Sequence, residues 1–130
     1  MARILVVDDE RDVVTLIKFL LEKDGHEVAE ASHGADALAK LGVDPKREGV
    51  QLPDLIIVDV MMPVMDGYTT ATRLRDDPST RSLPLIVLTA KGQTRELFQL
   101  APNVAAHIEK PFDPKNLREL VTGMLAGKNR

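Results

Sequence analysis

The chain has 130 residues, enough for one domain that buries its own core without disulfides or a structural metal. The absence of cysteine excludes disulfides, thiolate zinc sites and cysteine nucleophiles, and it suits the cytosol. A net charge of −3, with three phenylalanines, one tyrosine and no tryptophan, argues against direct nucleic-acid binding, and no apolar stretch approaches the ~20 residues of a membrane span.

Residues 1–3 lead straight into an apolar run too short for the hydrophobic region of a signal peptide, so a cytoplasmic location without membrane contact is expected. That run, Ile4-Leu5-Val6-Val7, is the first strand candidate. A helix is predicted over 10–24, with Val13, Ile17 and Leu20 on one stripe and Gly25 as its stop. Residues 27–31 form a weaker, more polar strand that suits a sheet edge. An alanine-rich helix over 34–41 follows, and then Gly42, Pro45, Gly49 and Pro53 break the pattern into an exposed loop over 42–53.

Leu55-Ile56-Ile57-Val58 is a continuous apolar run of the kind found in buried parallel strands. A helix over 67–75, a polar turn over 76–84 and a second buried strand over 85–88 come next. A helix over about 93–100 is expected to end at Pro102, before a small-residue strand over 105–108. The last helix has Asp113 as its N-cap and Pro114 at its first position, with Leu117, Leu120, Val121, Met124 and Leu125 on one face. Five strands alternating with five helices predict one α/β domain over 1–130, with a core over about 3–125 and a short tail over 126–130.

In such folds ligands bind at the carboxyl ends of the strands. The first predicted strand ends at Asp8-Asp9, the third at Asp59, the fourth at Thr89 and the fifth near Lys110. Carboxylates gathered on one rim repel one another unless a cation lies between them, and oxygen donors alone select a hard one: magnesium, manganese or calcium. A lysine and a threonine hydroxyl opposite the metal suit phosphoryl oxygens, and an aspartate so placed can attack phosphorus to give an acyl phosphate. Each feature also has a plain reading. Asp8-Asp9-Glu10 suits the acidic first turn of a helix, Thr89 an ordinary strand end and Lys110 a surface lysine. Asp66-Gly67 reads as a turn with no ligand role, Met61, Met62 and Met65 as packing, and Arg73 and Arg75 as a solvated helix face. His26 and His33 read as surface loop residues.

Val7-Asp8-Asp9, Val58-Asp59-Val60-Met61-Met62-Pro63 with Asp66-Gly67, Leu88-Thr89-Ala90 and Lys110-Pro111-Phe112 together resemble the signature of response regulator receiver domains. The resemblance runs from about residue 3 to residue 125. It implies a flavodoxin-like, doubly wound parallel sheet of order 2-1-3-4-5. It implies that Asp59 is the phosphoacceptor and that Mg2+, with Mn2+ possible, is held by Asp9 directly, Asp8 through water, Asp59 and the Met61 backbone carbonyl. Thr89, the Ala90 backbone and Lys110 would hold the phosphoryl group, with Lys110-Pro111 cis. Thr89 and the residue at 107 would form the switch. The implied donor is a histidine kinase or phosphotransfer protein. The implied output is binding of an unidentified downstream protein by the face of the fourth helix, fifth strand and fifth helix, with no turnover of an external substrate.

The sequence departs from that pattern in several places. The 42–53 loop is longer than usual and falls on the rim away from Asp59. The segment from Thr89 to Lys110 is about one residue short, with Pro102-Asn103 where a smooth helix end is usual; Asn103 can still supply the left-handed turn. His107 stands where the family usually has tyrosine or phenylalanine, which implies pH-dependent or altered coupling unless it is a plain structural histidine. Met61 and Lys91, two residues beyond Asp59 and Thr89, cannot position a water as an acid or amide would, so a long-lived phosphoryl group is expected. A haloacid-dehalogenase-type phosphatase would need an aspartate where Met61 stands. A degenerate receiver, acting as a phosphorylation-independent interaction module, is the alternative. At this length the chain is either a stand-alone regulator or a receiver cut from a larger protein.

Overall fold

The structure, a computed structural model, describes residues 2–90 and 103–128. Its strands are β1 (Arg3–Val7), β2 (Glu27–Ala31), β3 (Leu55–Asp59), β4 (Leu85–Ala90) and β5 (Val104–Lys110). Its helices are α1 (Arg11–Lys23), α2 (Gly34–Lys40), α3 (Gly67–Asp76) and a C-terminal helix, Pro114–Lys128. The predicted helix over 93–100 lies outside the described residues, as do Lys91 and Pro102, so the described part of the doubly wound fold has four helices. None of these is long and apolar enough to cross a membrane.

All five strands are parallel, in the order β2-β1-β3-β4-β5. Side chains alternate across a strand, so each apolar run supplies both faces of the sheet. Leu5, Val7, Ile56, Val58, Leu85 and Val87 pack with Ala37 and Leu38 of α2 and Ala71 and Leu74 of α3. Ile4, Val6, Ile57, Ile86 and Leu88 pack with Val14, Ile17 and Leu21 of α1 and Leu117 and Val121 of the C-terminal helix. The continuous apolar run in β3 follows from this burial on both sides.

The polar punctuation has specific work to do. Asp66 caps α3 by accepting a hydrogen bond from Thr69 N at 2.7 Å. Gly67 is required by close approach: a Cβ there would lie 2.3 Å from the Asp59 carbonyl oxygen. His33 is no idle loop residue, since its Nδ1 caps α2 by accepting from Asp36 N at 3.1 Å. Asp113 caps the C-terminal helix through Lys115 N at 2.9 Å.

Two further readings change, and the exposed loop over 42–53 gains detail. Met62 and Met65 pack on the core, but Met61 is 67% exposed. Asn103 is buried, and its side-chain amide donates to Ala71 O of α3 at 3.0 Å, tying the start of β5 to that helix. The 42–53 segment is exposed through its middle but pinned at its ends. Val43 and Leu52 pack on the core, Arg73 meets Asp44 at 3.0 Å and Lys46 meets Asp77 at 3.1 Å.

Between β3 and α3 the chain makes a tight turn in which Met65 N donates to Pro63 O at 2.7 Å across Val64, whose φ is +70°. This left-handed γ-turn is strained for a β-branched residue. Its supports are the bond from Gly67 N to Val60 O at 2.9 Å and the Asp66 cap.

Candidate functional site

Val7 lies opposite Val58 in the β1–β3 register, so the next residues, Asp8 and Asp59, emerge side by side at the carboxyl rim. Both are buried. Lys110 arrives from the end of β5, just before the cis Lys110-Pro111 peptide that the motif implied. Its Nζ stands 3.0 Å from Asp8 Oδ2, 3.3 Å from Asp59 Oδ2 and 3.2 Å from Glu10 Oε1. Oxygens of Asp8, Glu10 and Asp59 all lie within 4.8 Å of one another.

Three of the expected residues therefore meet: Asp8, Asp59 and Lys110. Asp9 does not join them; it is exposed and outside this cluster, and Glu10 takes the third place. A local turn accompanies this arrangement, in which Asp8 Oδ1 accepts from Glu10 N at 3.0 Å. The acidic run Asp8-Asp9-Glu10 was the only sequence signal for Glu10, and it served equally as a helix start. Thr89 is buried near the rim, and its hydroxyl makes a long 3.4 Å bond to Ile108 O of β5. His107 is half-buried on β5 opposite Val87, away from the cluster in the register.

The electrostatics follow from burial. Burial pushes the Asp59 carboxyl up to about 6, helped by the negative charge of Asp8 and opposed by Lys110. Burial on its own would lower the Lys110 ammonium, but the hydrogen bond to Asp8 and the charges of Asp59 and Asp8 together hold it above its usual range. Three carboxylates facing one ammonium leave two uncompensated negative charges, which is the charge of one divalent cation. An all-oxygen donor set of this kind fits a hard cation. Met61, two residues beyond Asp59, is exposed, and its thioether cannot act as an acid there.

A five-stranded parallel α/β sheet of order β2-β1-β3-β4-β5, with buried carboxylates and a lysine at its carboxyl ends, defines a doubly wound domain whose polar cluster lies where such sheets bind ligands. Residues 4–122 match the response regulator receiver domain, and the chain belongs to that family. It is 41% identical over 113 residues to the response regulator PleD of Caulobacter vibrioides, covering 86% of this chain but only 23% of PleD. It is 33% identical to the protein PilH of Pseudomonas aeruginosa, covering 98% of this chain and all of PilH. The receiver domain of the sensor histidine kinase PA1611 of Pseudomonas aeruginosa, solved with a magnesium ion coordinated in its active-site cleft, superposes with a TM-score of 0.78 at 28% identity, covering 92% of this chain and 93% of that one. The domain is thus a two-component response regulator receiver.

Proposed function

We propose that Asp59 accepts a phosphoryl group from a phosphohistidine on a histidine kinase or phosphotransfer protein, and that the modified domain then changes its binding to a downstream protein. The observation that supports this most directly is the Lys110 ammonium held between buried Asp8 and Asp59 at the strand ends. A carboxylate oxygen of Asp59 bonds to phosphorus as the donor's P–N bond breaks; the electron pair stays on the imidazole nitrogen, which takes a proton from water. Asp9, Asp59 and the Met61 backbone carbonyl, with Asp8 through a water, would hold Mg2+, or Mn2+ in its place. Bound there, the ion supplies charge neutralisation for the transferring group. Lys110, the Thr89 hydroxyl and the Ala90 backbone N–H hold the phosphoryl oxygens, and Thr89 gives up its long bond to Ile108 O in doing so. His107, three residues before Lys110 on β5, relays that movement to the binding surface. The domain modifies only itself, and it works in the cytoplasm.

Incubation with magnesium and acetyl phosphate should add the mass of one phosphoryl group, and beryllofluoride should shift the amide resonances around Thr89 and β5. An unmodified intact mass together with no beryllofluoride response would defeat this reading in favour of a phosphorylation-independent interaction module. The relay is checked separately, with His107→Tyr: partner binding of the phosphorylated protein should change with pH between 5.5 and 8 in the parent and not in the variant.

A further inference from the structure

Lysine has three N–H donors, and the Lys110 ammonium faces three carboxylates. The three are not equivalent. The Asp8 side chain is 0% exposed, and its other oxygen is already held by Glu10 N. The Asp59 side chain is 5% exposed. The Glu10 side chain is 61% exposed, so it alone can leave Lys110 for another partner at little desolvation cost. Glu10 is also the N-cap residue of α1, yet its side chain makes no cap hydrogen bond. Side chains at that position ordinarily bond the first free helix N–H groups; here the carboxylate reaches over the cleft to Lys110 instead.

We propose that Glu10 is an exchangeable positioning residue of this site: it holds Lys110 among the carboxylates in the cation-free protein and turns to a divalent cation when one binds. The proposal rests on the reading of Asp8, Asp59 and Lys110 as the phosphoacceptor cleft. The cation and the ammonium compete for the same oxygens, and Glu10 is the arm that changes hands. It lies within 4.8 Å of both buried carboxylates, so its charge stays in the site after the exchange.

Asp12 supplies the control. It lies in the first turn of α1 and lines the same groove as Glu10 and Lys110, but is no member of the carboxylate cluster. Calorimetric titration with Mg2+ alone should give a dissociation constant about fivefold higher for Glu10→Gln, a loss that survives 0.5 M KCl because the contact is short-ranged. Asp12→Asn should move it less than twofold, and that effect should vanish in salt. Glu10→Asp, which keeps the charge on a shorter arm, should recover most of the affinity. In metal-free protein, the rate of Lys110 acetylation, read by peptide mass spectrometry, should rise severalfold in Glu10→Gln. In the parent it should rise only when Mg2+ is added. If the parent binds Mg2+ but Glu10→Gln binds it within twofold as tightly, or if Lys110 reacts equally in both metal-free proteins, the role of Glu10 is overturned while the phosphoacceptor reading stands. A parent that binds no Mg2+ overturns both.

Discussion

Asp59 and Asp77 stand at opposite rims of the same sheet, and their surroundings move them in opposite directions. Asp59 is buried beside another carboxylate, and its carboxyl is pushed up to about 6. Asp77 accepts hydrogen bonds from the side chain and backbone of Ser79 and from Lys46, and is held down to about 2. The first rim holds Asp8 and Asp59 where water screens them poorly, so each alters the other. The second distributes charge over ion pairs with at least one partner well in water, where single pairs contribute little. The lesson is that the unusual 42–53 loop is attached where change is tolerated, and the ordinary-looking acidic run Asp8-Asp9-Glu10 sits where it is not.

The largest test of that contrast is chemical. Asp59→Asn should abolish phosphoryl uptake from acetyl phosphate, a loss of more than about 100-fold in rate by intact-mass kinetics. Uptake at an unchanged rate would move the acceptor elsewhere. Next is Gly67→Ala. Its methyl would be driven into the Asp59 carbonyl, and a loss of about 2–4 kcal/mol in urea unfolding is expected, with slower phosphoryl uptake as well.

A third test uses pH. The folded Asp59 carboxyl lies above its unfolded value near 3.9, so the folded metal-free protein binds the extra proton between about pH 4 and 6. Stability is therefore lost as pH rises through that window. Asp59→Asn should be more stable than the parent by about 1–2 kcal/mol at pH 7.5, with no difference left at pH 4. Asp77 has the opposite sign. Its contribution is present above the unfolded value and disappears as pH falls toward about 2, so Asp77→Ala should show a pH-independent loss from pH 5 to 8. The smallest effect is expected from Lys46→Ala, less than about 0.5 kcal/mol with phosphoryl uptake unchanged. A larger effect would show that the two rims are less different than their burial implies.

Much of this was legible in the sequence because it depends on local rules. Apolar runs such as Leu55-Ile56-Ile57-Val58 mark buried strands. Asp59 and Lys110 meet because strand ends in a parallel sheet share a rim. What was not legible depends on single turns and on distant contacts. That Glu10 faces the cleft and Asp9 does not goes with a local hydrogen bond from Glu10 N to Asp8 and a distant ion pair to Lys110. Asn103 suited a helix end by propensity, yet a carbonyl of α3, distant in sequence, draws its amide inward. Met61 and Met62 are neighbours of one type, and the strained loop sends one out and the other in.

Val64 gives that loop a property beyond its shape. The turn around it behaves like an arch whose abutments are the end of β3 and the capped start of α3. Holding a β-branched residue at φ +70° costs about 1–3 kcal/mol, which the contacts at both ends must offset. Weakening either abutment lets the crown fall open toward an ordinary backbone conformation. Damage at Gly67 or Asp66 would thus travel along the loop to the Met61 carbonyl instead of remaining at the helix start. The cleft and the first turn of α3 stand or fail as one piece of masonry.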